Sequence, residues 1–169
     1  GLTEIRAGIL AGTTQSLTGT YNVSGDTALI FEQNGNGTFA GTIAGTGSVF
    51  KRGEGEVHLT GSAGVAGGIF IEDGILRGNT SSLKGNIDTG TSASNRLIFD
   101  QDFGGTFAGE ISGQGSLVKV SAGRVRLTGG VELGVDSFVL GGTLEGTTDN
   151  LAGFISVAEN ATLLIDQDQ

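Results

Sequence analysis

The chain has 169 residues, enough for one substantial core, with 33 Gly, no Pro, Cys, Met or Trp, and a formal net charge of −9. The absence of cysteine excludes disulfides and thiolate metal sites, and the acidic balance opposes binding to nucleic acid or anionic membranes. Between the glycines lie mainly Ile, Val, Leu, Phe and Thr, which favour strands. The glycines are therefore predicted to form turns between strands.

Taken in chain order, the sequence repeats itself. The segment 9–19 returns at 75–85 and again at 143–153, which sets a period of about 66 to 68 residues. The block 31–61 recurs at 99–129, with roughly 17 of 31 positions identical. Such recurrence predicts a stack of similar units.

We predict a single domain made of two complete repeat units and part of a third, at about 2–69, 70–137 and 138–169. The sequence starts without a signal peptide and stops within a unit, so we expect it to be a fragment of something longer.

No apolar series with helical spacing occurs, whereas Val57 and Leu59 alternate with Glu56 and His58, as in a strand. A unit of about 67 residues fits three coils of about 22 residues, each giving three short strands to three parallel sheets. The predicted fold is an all-β, right-handed parallel β-helix, a three-stranded solenoid of roughly seven to eight coils. A β-sandwich is the alternative, but it gives no reason for the recurrence.

Alternation and recurrence also predict which side chains face the interior. The alternating positions are Phe39, Ile43, Val57, Leu59, Phe107, Ile111, Val125 and Leu127. Leucines that recur with the repeat are Leu10, Leu17, Leu76, Leu83, Leu144 and Leu151.

A glycine–lysine alternation marks both copies of the block. Its repeat-motif residues are Gly45, Gly47, Lys51, Gly55, Val57, Leu59 and Gly61, then Gly113, Gly115, Lys119, Gly123, Val125, Leu127 and Gly129. This pattern resembles the passenger-associated transport repeat of Gram-negative autotransporters, in large adhesin-like members of that family. The resemblance implies a precursor with a signal peptide, a long β-helical passenger and a C-terminal translocator barrel. It also implies an extracellular location on the bacterial surface, anchored to the outer membrane or secreted.

Repeated acidic and amide side chains are the most site-like feature. They are Glu32, Gln33, Asp100, Gln101, Asp166 and Gln167. A glycosidase needs two carboxyl groups about 5 to 9.5 Å apart, whereas copies three coils apart would be separated by about 14 Å. We therefore predict solvent-facing polar positions at strand ends.

Other candidate sites are weaker. His58 is the only histidine, its repeat equivalent is Arg126, and its parity points outward, which favours a solvated strand position over a catalyst. The calcium-binding nonapeptide of other β-helices is absent, and no metal or cofactor is predicted. Lys51 and Lys119 are interpreted as corner lysines of the repeat rather than as receptor contacts.

The sequence thus predicts no enzyme but a non-catalytic, surface-displayed stalk that supports adhesion or self-association. Expected partners are a host surface or matrix protein, or a second copy; no nucleic acid is expected. Phe103, which replaces Gly35 between the copies, is a possible contact residue. The alternatives are a polysaccharide-processing β-helix enzyme and a pure spacer. Exposed strands at either end predict some end-to-end association.

Overall fold

The computed structural model describes residues 1–151 and 153–167, so Ala152 and the last two residues of the third repeat lie outside this description. The described residues form 23 short β-strands and no helix. No helix long and apolar enough to cross a membrane occurs in that part of the chain. The prediction of an all-β protein is confirmed.

The strands are two to five residues long and follow one another closely. The first twelve are β1 (Leu2–Ile5), β2 (Ile9–Gly12), β3 (Thr20–Val23), β4 (Ala28–Glu32), β5 (Gly37–Phe39), β6 (Thr42–Gly45), β7 (Ser48–Arg52), β8 (Glu56–Leu59), β9 (Ser62–Val65), β10 (Ile69–Ile71), β11 (Ile75–Gly78) and β12 (Leu83–Lys84). The rest are β13 (Ile87–Asp88), β14 (Arg96–Asp100), β15 (Gly105–Phe107), β16 (Ile111–Gly113), β17 (Ser116–Val120), β18 (Arg124–Leu127), β19 (Val131–Leu133), β20 (Ser137–Val139), β21 (Gly142–Gly146), β22 (Ile155–Val157) and β23 (Ala161–Ile165).

These strands pair in parallel within four sheets. Sheet A holds β1, β3, β6, β9 and β12, and sheet B holds β2, β4, β7, β10, β13, β16 and β19. Sheet C holds β5, β8, β11, β14, β17, β20 and β22, and sheet D holds β15, β18, β21 and β23. The chain visits A, B and C in turn, and after β14 sheet D takes the place of A. The result is a parallel β-solenoid of about eight turns, as predicted.

Apolar side chains of successive coils stack in columns inside the solenoid. On sheet B, Leu29 pairs with Val49, which pairs with Ile69, and all three are fully buried. The eight alternating positions predicted to face inward are all buried, as are five of the six recurring leucines. Leu10 is the exception; it is half-buried near the start of the stack, although it packs against the core.

One repeat unit is longer than three coils, contrary to the prediction. Strands paired between coils are most often 20 residues apart, as in Leu29 with Val49, rather than 22. Repeat-equivalent strands lie ten strands apart, so that β4 belongs to sheet B but its equivalent β14 belongs to sheet C. A unit therefore makes three and a third turns, and each copy is moved to the next face of the solenoid.

A short loop in each unit explains the fourth sheet. The loops 13–17, 79–83 and 147–151 each take the place of most of one strand, and each lies on a different face. In the first, the Leu17 amide donates to the Thr13 carbonyl at 2.8 Å; in the second, Leu83 donates to Asn79 at 2.8 Å. The second loop runs directly into β12, which has only two residues to pair with β9. Sheet A ends at this short strand.

Candidate functional site: the corners of the solenoid

The repeated lysines lie inside the solenoid, at a corner between two strands. The ammonium group of Lys51 donates to the carbonyl oxygens of Arg52 at 3.0 Å, Gly53, and Asp73 at 2.9 Å. Arg52 and Gly53 belong to its own corner, whereas Asp73 lies on the next coil. The side chain has no exposed surface. Lys51 therefore closes its own turn and ties it to the coil above.

Lys119 repeats this arrangement on the next face. Its ammonium group donates to the carbonyls of Val120, Ser121 at 2.8 Å, and Gly141 at 3.3 Å, and it too is fully buried. Burial lowers the pKa of Lys119 and lowers that of Lys51 to about 8, against the opposing effect of nearby carboxylates. Enclosed in this way, neither ammonium group can contact a partner.

The other motif residues surround this corner. Val57, Leu59, Val125 and Leu127 are buried in the core. The glycines Gly45, Gly47, Gly55, Gly61, Gly113, Gly115, Gly123 and Gly129 lie at strand ends or in the turns beside them. Gly45 and Gly113 have φ angles of 123° and 110°, which side-chain-bearing residues rarely adopt. The motif thus describes turns that stack closely.

The prediction of a solvent-facing row fails at Gln33 and Gln101, which are buried. The Gln101 carbonyl oxygen accepts from the Thr80 amide at 2.8 Å, and its Nε2 donates to the carbonyls of Phe103 at 3.0 Å and Arg124 at 2.9 Å. Gln33 likewise accepts from the Thr14 amide at 3.0 Å. These amides hydrogen-bond one coil to another at a corner that would otherwise hold unpaired backbone groups.

Asp100 and its repeat equivalent Glu32 lie on different faces, on sheets C and B, and do not form an acid pair. Asp100 accepts a hydrogen bond from the Ser121 hydroxyl and forms an ion pair with Arg77 at 3.0 Å. The Ser121 bond, followed by Arg77, lowers the pKa of Asp100, whereas a general acid needs a raised pKa.

Away from these corners the surface carries His58 and several open depressions, two of which bring carboxylates together: Asp88 with Glu110, and Glu110 with Glu132. His58 lies in the outward row of sheet C, between Thr38 and Arg77 in register. Two surface depressions of about 450 and 470 Å³ each have one carboxylate in their lining, Glu132 and Asp149 respectively. Over 1–151 and 153–167, no three His, Cys, Asp or Glu side chains are grouped closely enough to hold a metal ion.

An ion pair between neighbouring strands recurs with its charges exchanged, and in the second pair the carboxylate, Glu145, is buried. Glu56 pairs with Arg77 at 3.0 Å across β8 and β11. At the equivalent positions of the next unit, Arg124 pairs with Glu145 at 3.2 Å across β18 and β21. The exchange keeps opposite charges on neighbouring strands, where like charges would be destabilising.

One departure from the repeat lies on the corner beside Lys119. Gly35, Glu54 and Glu72 are replaced by Phe103, Ala122 and Leu140 at the equivalent positions 68 residues later. Phe103 is 46% exposed and Leu140 is 55% exposed. The sequence prediction identified Phe103 but missed the other two residues, of which Ala122 could have been found by aligning the two copies of the block.

The fold and its corners define a repetitive parallel β-solenoid. Its sequence is 30% identical over 139 residues to the adhesin BmaC autotransporter of Brucella suis biovar 1 (strain 1330). The alignment covers 75% of this chain but only 4% of that relative, so the chain corresponds to a small part of such a protein. No protein-family model and no solved structure matches the chain.

The resemblance drawn from the glycine–lysine motif is confirmed at the level of the larger family. The chain is similar to an autotransporter adhesin, and its β-solenoid is consistent with a fragment of a passenger domain.

Proposed function

We propose that this chain is a segment of a non-catalytic stalk in a Gram-negative autotransporter passenger, displayed outside the cell and supporting adhesion or self-association. The observation that carries the proposal is the continuous parallel stack, together with similarity to an autotransporter adhesin. Each coil hydrogen-bonds the next, so added repeats add length without requiring a new core.

The conserved interior of the two copies supports a structural role for the motif. Lys51 and Lys119 occupy matching corners and bind matching carbonyls, while Gln33 and Gln101 hydrogen-bond matching loops. These side chains form their hydrogen bonds within the stack. The outward positions, where the copies differ, are where a partner would be recognised.

Antibody labelling of intact bacteria that carry the parent gene tests surface display. We expect antibodies against residues 1–169 to label cells without permeabilisation and to lose their target after external protease treatment. An in-frame deletion of these residues is the matched control. Labelling that requires permeabilisation would contradict the proposal.

The polysaccharide-processing alternative is tested with the purified chain and a panel of sugar polymers. We expect no cleavage above that of the Asp100→Asn and Asp102→Asn variants. Cleavage that either substitution abolishes would overturn the non-catalytic assignment. A pure spacer would leave adhesion or self-association unchanged when residues 86–95 are exchanged, whereas a contact-bearing stalk that uses this region would lose it.

A further inference from the structure

One corner of the first copy carries two asparagine–glycine steps, of which one is open and the other is enclosed in the stack. The segment 33–37 reads Gln-Asn-Gly-Asn-Gly and joins β4 to β5. At such a step the backbone nitrogen of the glycine can attack the asparagine side chain, because glycine has no Cβ to keep the two groups apart. Two identical steps in one corner separate the effect of the fold from that of the sequence.

The first step, Asn34–Gly35, has both reacting groups free. Asn34 and Gly35 are exposed and lie in a bend between the two strands. Among residues 1–151 and 153–167, neither the Asn34 side chain nor the Gly35 amide has a hydrogen-bond partner. A Cβ added at Gly35 would meet no atom within 4 Å, so the turn is not packed against other atoms on that side. The stack therefore does not hold the Gly35 nitrogen away from the Asn34 side chain.

The second step, Asn36–Gly37, is held in place. The Asn36 side-chain oxygen accepts a hydrogen bond from the Glu56 amide at 3.1 Å, which fixes the carboxamide against the next coil. Gly37 is the first residue of β5 and pairs with Val57 of β8. A Cβ added at Gly37 would lie 1.9 Å from the Thr14 hydroxyl oxygen, so its surroundings are filled. Turning the Gly37 nitrogen toward the side chain would break this pairing.

We propose that Asn34 is a site of spontaneous deamidation in the folded chain, whereas Asn36 is protected. The Gly35 amide nitrogen loses its proton to water and forms a bond to the Cγ atom of Asn34. The bond from Cγ to Nδ2 then breaks, and the departing nitrogen takes up a proton and leaves as ammonia. One water molecule opens the cyclic imide and leaves aspartate or isoaspartate at position 34. Water is the only co-reactant, and the corner gains one negative charge at neutral pH.

The second copy shows that this corner accepts the product. Asp102 occupies the position equivalent to Asn34, and its carboxylate accepts a hydrogen bond from the Ala122 amide at 3.2 Å. The backbones of the two corners match: Gly55 donates to the Gln33 carbonyl at 3.0 Å, and the equivalent bond of the second copy is 2.9 Å long. Deamidation thus gives the first copy a residue that the second copy already carries.

Peptide mass spectrometry of the purified chain tests the inference, because fragmentation distinguishes position 34 from position 36. The chain is incubated at pH 8 in buffer and, separately, in concentrated guanidinium chloride. In buffer we expect Asn34 to deamidate at least ten times faster than Asn36, whose reaction needs local opening of the stack. In guanidinium chloride the two rates should agree within about a factor of two, since both asparagines then precede glycine in an unfolded chain.

Gly35→Ala is the matched variant, because it adds the Cβ that hinders the attack and the corner has space for it. It should slow the reaction of Asn34 in buffer at least tenfold and leave the rate at Asn36 unchanged. Equal rates at the two asparagines in buffer, or a tenfold ratio that persists in guanidinium chloride, would overturn the inference.

Asn34→Asp tests whether the product is accommodated. We expect it to unfold at the same guanidinium chloride concentration as the parent chain, because Asp102 occupies the equivalent place in the second copy. A midpoint clearly below that of the parent chain would contradict this part of the inference. Surface labelling of cells is independent of both experiments, so their failure leaves the proposed stalk standing.

Discussion

The two copies of the 31-residue block agree in their interiors and differ at their surfaces. The Phe31 and Phe39 rings meet edge to face at 5.2 Å and 67°, and their equivalents Phe99 and Phe107 do so at 5.2 Å and 63°. On the outside, by contrast, Gly35 has become Phe103 and Glu54 has become Ala122. The stack constrains whatever lies between coils, because each inward group must fit the coils above and below. The outward side chains are free to acquire separate contacts.

The largest predicted effect is a pH dependence of the free energy of unfolding, which comes from the two buried lysines. Burial places the pKa of Lys51 at about 8, below its ordinary value of 10.5, and lowers that of Lys119. Between these values the unfolded chain binds more protons than the folded chain, so the free energy of unfolding should rise with pH.

For Lys51 the rise is at most about 3 kcal/mol. Urea unfolding of the parent chain and of Lys51→Met between pH 7 and 10.5 measures it, since other titrating groups are common to both. The variant should show a flatter profile. Parallel profiles would mean that the buried ammonium group titrates as it does in water.

Removing Lys51 or removing Lys119 should lower the stability of the chain by a similar amount. In Lys51→Met, three corner carbonyls lose their donor, while relief of the buried charge offsets part of the loss; we expect a net cost of about 2 kcal/mol. Lys119→Met should cost the same, and Lys84→Met, at an exposed position, less than about 0.5 kcal/mol. Chemical denaturation at pH 7 provides all three values. A cost at only one of the buried sites would break the equivalence of the copies.

Gly53 in the first copy corresponds to Ser121 in the second copy. Exchanging the residue types should change stability by different amounts in the two copies. Gly53 has a φ of 78°, and an added Cβ would lie 2.7 Å from the Gln33 carbonyl oxygen, so Gly53→Ser should cost about 2 kcal/mol. The reverse change, Ser121→Gly, relieves a φ of 65° but removes the bond to Asp100. We expect it to alter stability by less than about 0.5 kcal/mol. Thermal unfolding compares the two, and equal costs would contradict this account of the corner.

The partly exposed ion pair of Glu56 and Arg77 should give the smallest effect. A double-mutant cycle with Glu56→Gln and Arg77→Gln should give a coupling of about 0.5 to 1 kcal/mol that falls with added salt. The cycle at Arg124 and Glu145 should give a coupling of the same sign. Zero coupling in both would mean that the exchange of charges is unrelated to their contact.

Much of the fold could be predicted from the sequence because inward and outward residues alternate and the pattern recurs. Val57 and Leu59 were correctly placed in the core on that basis. Gln33 was wrongly placed in solvent because hydrophobicity alone does not show that a corner needs a hydrogen-bonding side chain. The burial of Lys51 could have been predicted, since it shares the parity of Val49 on β7.

The rotation of each repeat unit relative to the unit before it could not be predicted in the same way. Counting residues gives the length of a unit but not the number of residues in each coil. The number of residues per coil depends on how loops such as 79–83 replace part of a strand. Leu140 was missed for a different reason: it lies beyond the 31-residue block in which the copies are most alike.

Each repeat unit is rotated by one face of the solenoid relative to the unit before it. Thr38 and Thr106 are exposed repeat equivalents on sheets C and D. Spin labels on the Thr38→Cys/Thr106→Cys variant can be measured by double electron–electron resonance. The labels project from different faces and lie about 16 Å apart along the axis, so we expect a distance of about 25 Å. A distribution centred near about 15 Å, as expected for one face and three coils, would contradict the account.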